Sequence, residues 1–504
     1  MSRARALQIL ERLAAAGTAP RGVTTDSRTV VAGDLFVACP GERADGRTYI
    51  AAAIARGACA VVWESGDGFV PDSAAVPVPA VGEEGARGLV GYLADVLFGR
   101  PAAALWMAGV TGTNGKTTVS TWLAQTLQDH GVRCGVIGTL GQGFPGALQP
   151  FGHTTPDAAH LHRMLARLSE QGAQAVAMEV SSIGLDQERV NGVDFDVAIF
   201  TNFSRDHLEY HHTMHAYAAA KARLFELPVA VSVINVDDAV GVELARRQHE
   251  AGREVIAYTR FADNAAAVPG ARMLAASAVR VSPTGLSFQV SWEGQRRDVS
   301  VRVVAAFNVS NLLAVIGALL AYGVSLDSAL ALVTRLDPPE GRMQLLGGVG
   351  VPLVVVDYAH TPDALGKVLD AVRETATARG GQVVCVFGCG GERDPGKRPL
   401  MGEIAVSKAD RVVITSDNPR SEAPASVIDD IVEGTAGRGR IIVARAEAIH
   451  AAITEAAADD VILLAGKGHE QYQEIHGERL PFSDIAEATA GLQAWQDAQE
   501  KRAC

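Results

Sequence analysis

Residues 109–118, GVTGTNGKTT, place a lysine and two threonines behind a run of small residues. The stretch misses the P-loop pattern of Gly, four residues, Gly-Lys-Thr/Ser by one position, because Val110 stands where the first glycine belongs. What is left, Gly112, Thr113, Asn114, Gly115, Lys116, Thr117 and Thr118, still has the parts that hold a triphosphate. Glycines let successive backbone N–H groups turn inward, a lysine faces the outer phosphates, and a hydroxyl can ligand Mg²⁺. An ordinary glycine-rich turn is the competing reading. The context argues against it: AALWMAGV before the loop reads as a buried strand, and TVSTWLAQTLQDHG after it as a helix closed by Gly131. The loop then sits at a helix N-terminus, where anions are favoured.

A second set of candidate residues follows late apolar runs. VPLVVVDYAH carries Asp357 and His360, GQVVCVFGCGGERD leads to Arg393, DRVVITSDNPR ends in Asp417–Arg420, and DDVILLAGKGHEQ ends in Lys467–Glu470. In open parallel sheets ligands lie beyond the carboxyl ends of the strands, so these groups are expected to crowd one edge. With a first sheet behind the glycine loop, the chemistry is expected in the cleft between two polar edges. His207, His211 and His215 recur every four residues, which also admits a zinc-binding face on one helix.

These residues need elements to hold them. The 504 residues suggest about three domains at ~150 residues each. The expected fold is α/β, with a small N-terminal α/β domain at 1–104, a central P-loop parallel-sheet domain at 105–337 and a C-terminal Rossmann-like domain at 338–504. Alternating residues in VRVSPTGLSFQVSWEGQRRDVSVRV predict an antiparallel side sheet, and the alanine-rich NAAAVPGARMLAASA a surface excursion. A net charge of −12 without a basic stripe argues against nucleic acid as a partner. No apolar run approaches the ~18 residues of a membrane span, and Glu11 and Arg12 interrupt the opening apolar stretch, so a cytoplasmic protein is expected. The six scattered cysteines read as reduced thiols.

In chain order, TGTNGKTT, HTTPDA at 153–158, MEVSS at 178–182, TNFSRDHLEYH at 201–211, AKARLF at 220–225, FNVSNLLA at 307–314, EGRM at 340–343, DYAHTPDAL at 357–365 and GKGHE at 466–470 resemble the Mur ligases. The resemblance covers essentially the whole chain, and the family's own loop shares the variant at Val110. It implies an ATP-dependent ligase that moves the γ-phosphate onto a carboxylate and lets an amine displace phosphate from the acyl phosphate. The implied catalytic residues are Lys116, Lys221 and His207. Mg²⁺ would be held by Thr117, Glu179, His207 and Lys221, the lysine being carbamylated in the family. From the residues alone, Lys221 reads as a solvated helix position and Glu179 also admits a surface acid.

Asn308, Arg342, Asp357 and His360 would join Gly112–Thr118 around ATP. Thr25, Ser27, Gly41, Glu42, Arg43, Ala44, His153, Thr154, Thr155, Ser181, Gln187 and Arg189 would hold a UDP-sugar peptide; His153 stands where relatives can have asparagine. TTDSR and SDNPR are similar to the branch that adds meso-diaminopimelate to UDP-MurNAc-L-Ala-D-Glu. Its amino-acid pocket would be Arg393, Asp417, Asn418, Pro419, Arg420, Gly466 and Glu470. Arg420 is suited to read the distal carboxylate, since a guanidinium fork matches a carboxylate bidentately. The partners implied are thus small molecules only, acting on a monomer. Rival readings are a lysine-adding or folylpolyglutamate-type sister ligase, a P-loop NTPase switch, and a sugar-nucleotide binding module.

Overall fold

The computed structural model describes residues 2–41, 44–72, 76–282 and 285–503. The chain divides into two compact units, one of residues 1–111, 123–199 and 219–232, the other of residues 112–122, 200–218 and 233–504.

In the first unit, Ser2 caps the helix Arg3–Ala15 by accepting from the Arg5 N–H, and the helix buries Ala6, Ile9 and Leu13. That spacing of three and four residues gives one apolar stripe. It packs with the helix Ala86–Leu97 on a parallel sheet of Gly22–Thr24, Asp34–Ala38, Ala60–Glu64 and Ala80–Glu83, in that order. A second set of strands in this unit runs Phe195–Phe200, Trp106–Thr111, Ala175–Glu179, Cys134–Gly138, Gly141–Gly143. Trp106–Thr111, Ala175–Glu179 and Cys134–Gly138 pair parallel and are almost wholly buried. Burial on both faces explains why these runs read as continuous apolar stretches rather than alternating ones.

In the second unit, Glu254–Thr259 pairs parallel with Arg272–Ser282, which continues antiparallel into Gly285–Trp292 and Gln295–Val301. The alternation predicted there is present, with every second residue of Gly285–Trp292 buried from Leu286 on. The surface excursion is corrected: residues from Arg272 onward form a strand that buries Leu274 and Ala276, because pairing on both sides outweighs the alanine-rich composition.

The C-terminal sheet follows the order Gln344–Gly347, Leu353–Asp357, Val461–Ala465, Val383–Phe387, Arg411–Ile414, Arg440–Ile441, antiparallel only at the first pair. Helices Pro362–Arg379, Lys397–Lys408 and Pro424–Glu433 cover one face, and Arg445–Thr454 and Asp484–Ala503 the other. Since the inner strands are parallel, Asp357, the loop after Phe387, the turn after Ile414 and the loop after Ala465 all leave the same edge. That edge is the one expected to carry chemistry.

Candidate active site

The glycine loop is shaped by contacts that a side chain would block. Gly112 has φ 143°, and a Cβ there would lie 1.9 Å from the Thr201 hydroxyl; Gly115 has φ 87°, and its Cβ would lie 2.5 Å from Asn311 Oδ1. Lys116 opens the helix Lys116–Asp129 and donates from Nζ to the carbonyls of Gly112 at 3.0 Å and Thr113 at 2.9 Å. Its charge therefore rests at the loop's own mouth. Asn202 braces the loop from below: its carbonyl accepts from the Thr113 N–H at 2.9 Å, its Oδ1 from the Asn114 N–H at 3.0 Å, and its Nδ2 donates to the Asn114 carbonyl at 2.9 Å.

Of the expected nucleotide residues from later in the chain, Arg342 reaches this loop directly and Asn308 through Asn311. Arg342 donates to the buried Thr117 hydroxyl at 3.0 Å while its guanidinium stacks 4.4 Å over the Tyr358 ring. Asn308, buried, accepts from Asn311 Nδ2 at 2.9 Å, and Asn311 in turn abuts Gly115. Asn114 Nδ2 donates to Asp363 at 3.1 Å. Asp357 accepts from the Met343 N–H at 2.8 Å. Burial raises its pKa, with the Arg342 charge and that N–H opposing. Asn202, Asn311 and Asp363 are loop neighbours that motif reading missed. A second asparagine three residues after Asn308, on one helical face, was the available signal for Asn311.

The 201–211 segment carries a charged knot. Asp206 is buried with its carboxylate 3.4 Å from His207 Nε2, 3.8 Å from Lys397 Nζ and 3.9 Å from His360 Nε2. Burial works against its charge, yet His207, Lys397 and His360 together hold it well below the usual carboxylate range. His360 is pushed down to about 4 by burial first and the Lys397 ammonium second, so it is neutral at pH 7. Its Nδ1 lies 2.8 Å from the Tyr358 carbonyl. The single-helix histidine face is not formed. His207 has φ 54° and precedes the short helix Leu208–His211, His212 has φ 61°, and a new helix runs Met214–Ala222. Positive φ at two non-glycine residues breaks the four-residue repeat on which the zinc reading stood.

In the first unit, Glu179 ends its strand only 1% exposed and accepts from the Thr139 N–H at 2.8 Å and the Thr139 hydroxyl at 3.1 Å. It is not a surface acid. Lys221 is likewise 1% exposed, which overturns the solvated helix position. A lysine almost never lies that deep unless something pairs or modifies its amine. Thr154 joins Thr139 hydroxyl to hydroxyl at 3.1 Å, which ties it to Glu179.

Four of the expected sugar-peptide residues in this unit form one network. Thr155 donates to the Ser181 hydroxyl at 3.0 Å, Arg189 donates to the Thr155 carbonyl at 2.8 Å, and Gln187 Oε1 accepts from Arg189 at 2.6 and 3.0 Å. Thr25, Gly41, Ala44 and His153 are exposed and Ser27 half-buried; Glu42 and Arg43 lie outside the described residues. Thr25 and Ser27 follow one strand of the first sheet and Gly41 and Ala44 the next, at the same carboxyl edge.

The edge expected to take the amino acid is a web of side chains. Asn418 Nδ2 donates to Glu470 at 2.7 Å, and Lys467, fully buried, donates to Glu470 at 2.8 Å and to Asn418 Oδ1 at 3.0 Å. Arg420, half-buried at φ 54°, donates to the Gly391 carbonyl at 2.7 Å. A Cβ on Gly390 would lie 2.9 Å from Arg420 Nη1 and 3.6 Å from Arg393 Cγ, so both arginines flank that glycine. Gly466 needs its φ of 114° and its missing side chain, since a Cβ would meet Asp417 Oδ2 at 2.4 Å. Pro419 is buried beneath the turn. Two arginines beside a carboxylate–ammonium pair can take a zwitterion that has an extra acid group.

A Gly-Lys-Thr loop on one α/β layer, with an edge of arginines, a lysine and a carboxylate on a second sheet, has the parts of a carboxylate–amine ligase of the ATP-loop class. The chain matches the Mur ligase middle domain over residues 110–319, the Mur ligase glutamate ligase domain over 341–468, and the Mur ligase family catalytic domain over 20–92. It is 50% identical over 493 residues to the UDP-N-acetylmuramoyl-L-alanyl-D-glutamate--2,6-diaminopimelate ligase of Ectopseudomonas mendocina, covering 96% of this chain and 97% of that one. The protein of the same name from Pseudomonas aeruginosa is 50% identical over 480 residues, covering 94% and 96%. A solved structure of a ligase with this name superposes with a TM-score of 0.66 at 36% identity over 95% of this chain and 96% of the other. The chain belongs to the Mur ligase family.

Proposed function

We infer that this chain ligates meso-diaminopimelate to UDP-MurNAc-L-Ala-D-Glu at the expense of ATP, a step in building peptidoglycan precursors. The observation that carries the reading is the Ser416–Arg420 turn: within a chain 50% identical to diaminopimelate ligases, it sets Arg420 beside Arg393 and the Asn418–Glu470 pair. In this mechanism an oxygen of the glutamyl carboxylate attacks the γ-phosphorus and ADP leaves. The amine of diaminopimelate then attacks the acyl carbon, phosphate leaves and the nitrogen sheds a proton. Lys116 neutralises the outer phosphates, and Arg342, Asn308, Asp357 and His360 complete the nucleotide pocket.

Mg²⁺ fits the donor chemistry. Thr117 in the second unit has a buried hydroxyl and Glu179 in the first a buried carboxylate, each a donor type that suits an oxygen-seeking cation. His207 would be a further donor, and Lys221 would serve once carbamylated, since an ammonium cannot ligand a cation. When bound, the ion supplies charge neutralisation for phosphoryl transfer. Ser27, Gly41 and Ala44 hold the uridine end of the sugar nucleotide, with Thr25, Glu42 and Arg43 beside them in the chain, and the Thr155–Ser181–Gln187–Arg189 network, with Thr154 and His153, lies along the rest of that substrate. The reading keeps three domains with boundaries at 104/105 and 337/338, acting as a cytoplasmic monomer. No helix among the described residues is long and apolar enough to cross a membrane.

The test is to incubate the protein with ATP, Mg²⁺ and UDP-MurNAc-L-Ala-D-Glu, offer diaminopimelate or lysine, and weigh the product. A mass gain of one diaminopimelate residue with equimolar ADP is expected. Gain of lysine alone, or ADP formed without any amino acid, would replace this reading with a sister ligase or an NTPase.

A further inference from the structure

The turn that carries Asn418 and Arg420 does not hold its own shape. Arg420 sits at φ 54°, a region that costs a non-glycine residue of order 1–3 kcal/mol unless its surroundings enforce it. The enforcing element is the two-stranded hairpin Tyr472–Ile475 and Glu478–Pro481. The Arg420 N–H donates to the Glu474 carbonyl at 3.0 Å, the His476 N–H donates to the Arg420 carbonyl at 2.6 Å, and the Glu474 N–H donates to Asn418 Oδ1 at 2.9 Å.

One side chain completes the grip. Gln473, 9% exposed, donates from Nε2 to the Asp417 carbonyl at 2.6 Å and to the Ser416 hydroxyl at 3.0 Å. The backbone bonds survive any substitution on the hairpin except proline. The Gln473 bonds do not, and they act on the residues just before Asn418. Nothing in the chemistry of amide formation calls for Gln473, and no phosphate-binding residue touches it in the contacts above.

We propose that Gln473 is a positioning residue for amino-acid choice. From the hairpin it locks Ser416 and Asp417 so that Asn418 meets Glu470 and Arg420 meets the loop of Gly390 and Gly391, the arrangement in which both ends of a diamino diacid are read together. The inference rests on the function proposed above and adds a residue outside the turn to its specificity.

Gln473→Leu keeps the volume and removes the donor, leaving the Asp417 carbonyl buried without its partner. An unmet buried group is worth about a tenfold change or more, so KM for diaminopimelate should rise by that factor. The diaminopimelate-to-lysine ratio of kcat/KM should fall by a similar factor, with KM for ATP within about twofold of wild type. A residue that merely supported the fold would lower the unfolding midpoint and the amount of active enzyme while leaving KM and the ratio unchanged. Gln473→Asn, which keeps an amide but shortens its reach, should show the same KM shift at smaller size and stands in if the leucine variant does not fold. A folded variant with wild-type KM and ratio overturns the inference. A wild-type protein that does not use diaminopimelate overturns the functional reading instead.

Discussion

The loop at 112–118 and the turn at 416–420 both carry charge, but they are held by different means. The loop is shaped by glycines, by a lysine folded onto the carbonyls of Gly112 and Thr113, four and three residues back, and by Asn202 beneath it. The turn is shaped by Lys467, Glu470, Gln473 and Glu474, about 50 residues along the chain, and by a non-glycine residue in the left-handed region. Geometry held largely by a loop's own glycines and carbonyls suits a ligand that never changes, such as a triphosphate. Geometry stored in side chains can be retuned by substitution, which suits the partner that distinguishes sister enzymes.

The largest effect expected lies on the loop. Lys116→Ala should lower ADP formation by a factor of roughly 10³ or more, equally with either amino acid, because it removes charge from the transferring phosphoryl group. A circular dichroism spectrum unchanged from wild type would show that the fold is kept, and near-normal turnover would break the nucleotide assignment. Lys221→Ala comes next. If the buried amine is carbamylated, the variant should be nearly inactive, short carboxylic acids should restore part of the rate by replacing the lost ligand, and bicarbonate should not. Full activity of the variant would leave Lys221 a packing residue alone.

How much of this was legible follows the same division. The parallel strands were readable because burial on both faces writes itself as apolar runs, and the loop because its parts are contiguous. Asn202 and Asp363 lie inside quoted motifs, but they and Gln473 act across 56 to 249 residues of chain, so no local pattern carried their roles. Lys221 follows three alanines on a helix and looked solvated, since only the packing around Met214–Ala222 decides that its amine is enclosed. The histidine repeat misled because periodicity assumes one continuous helix, and the backbone at His212 ends it.

A smaller effect should separate stability from specificity at the amino-acid edge. Arg445 and Asp484 form a fully buried ion pair at 2.7 Å, and Arg445 also donates to the Ala465 carbonyl at 3.0 Å, at the root of the loop that bears Lys467 and Glu470. Arg445→Met should cost about 3–5 kcal/mol by stranding the aspartate. Urea unfolding measures that loss, and an unchanged midpoint would mean that the pair does not anchor the loop.

The smallest effect belongs to a region remote in chemistry from both. His162 is fully buried, its Nε2 2.9 Å from the Asn191 carbonyl and its Nδ1 3.8 Å from Asp95, which Arg3 binds together with Asp194. Burial lowers its pKa below 6.5, with the Asn191 carbonyl and Asp95 opposing. Such a ring is neutral when folded and takes up a proton on unfolding, so stability falls as pH drops below about 6.5 until the folded-state value is also passed. The slope from this group is at most about 1.4 kcal/mol per pH unit. Urea midpoints at pH 7.5 and 5.5 should differ less for His162→Gln than for wild type, and equal differences would remove His162 from the acid response.

The comparison between loop and turn is tested most directly by kcat/KM for diaminopimelate and for lysine, in wild type and in Arg420→Ala. A guanidinium built into a site to meet a carboxylate rejects an analogue that lacks it, so wild type should prefer diaminopimelate by a factor on the order of 10³ or more. Arg420→Ala should remove most of that preference by impairing diaminopimelate use, with KM for ATP little changed. A variant that keeps the wild-type ratio would show that Arg420 does not read the distal carboxylate, and the account of the turn as the seat of amino-acid choice would fail.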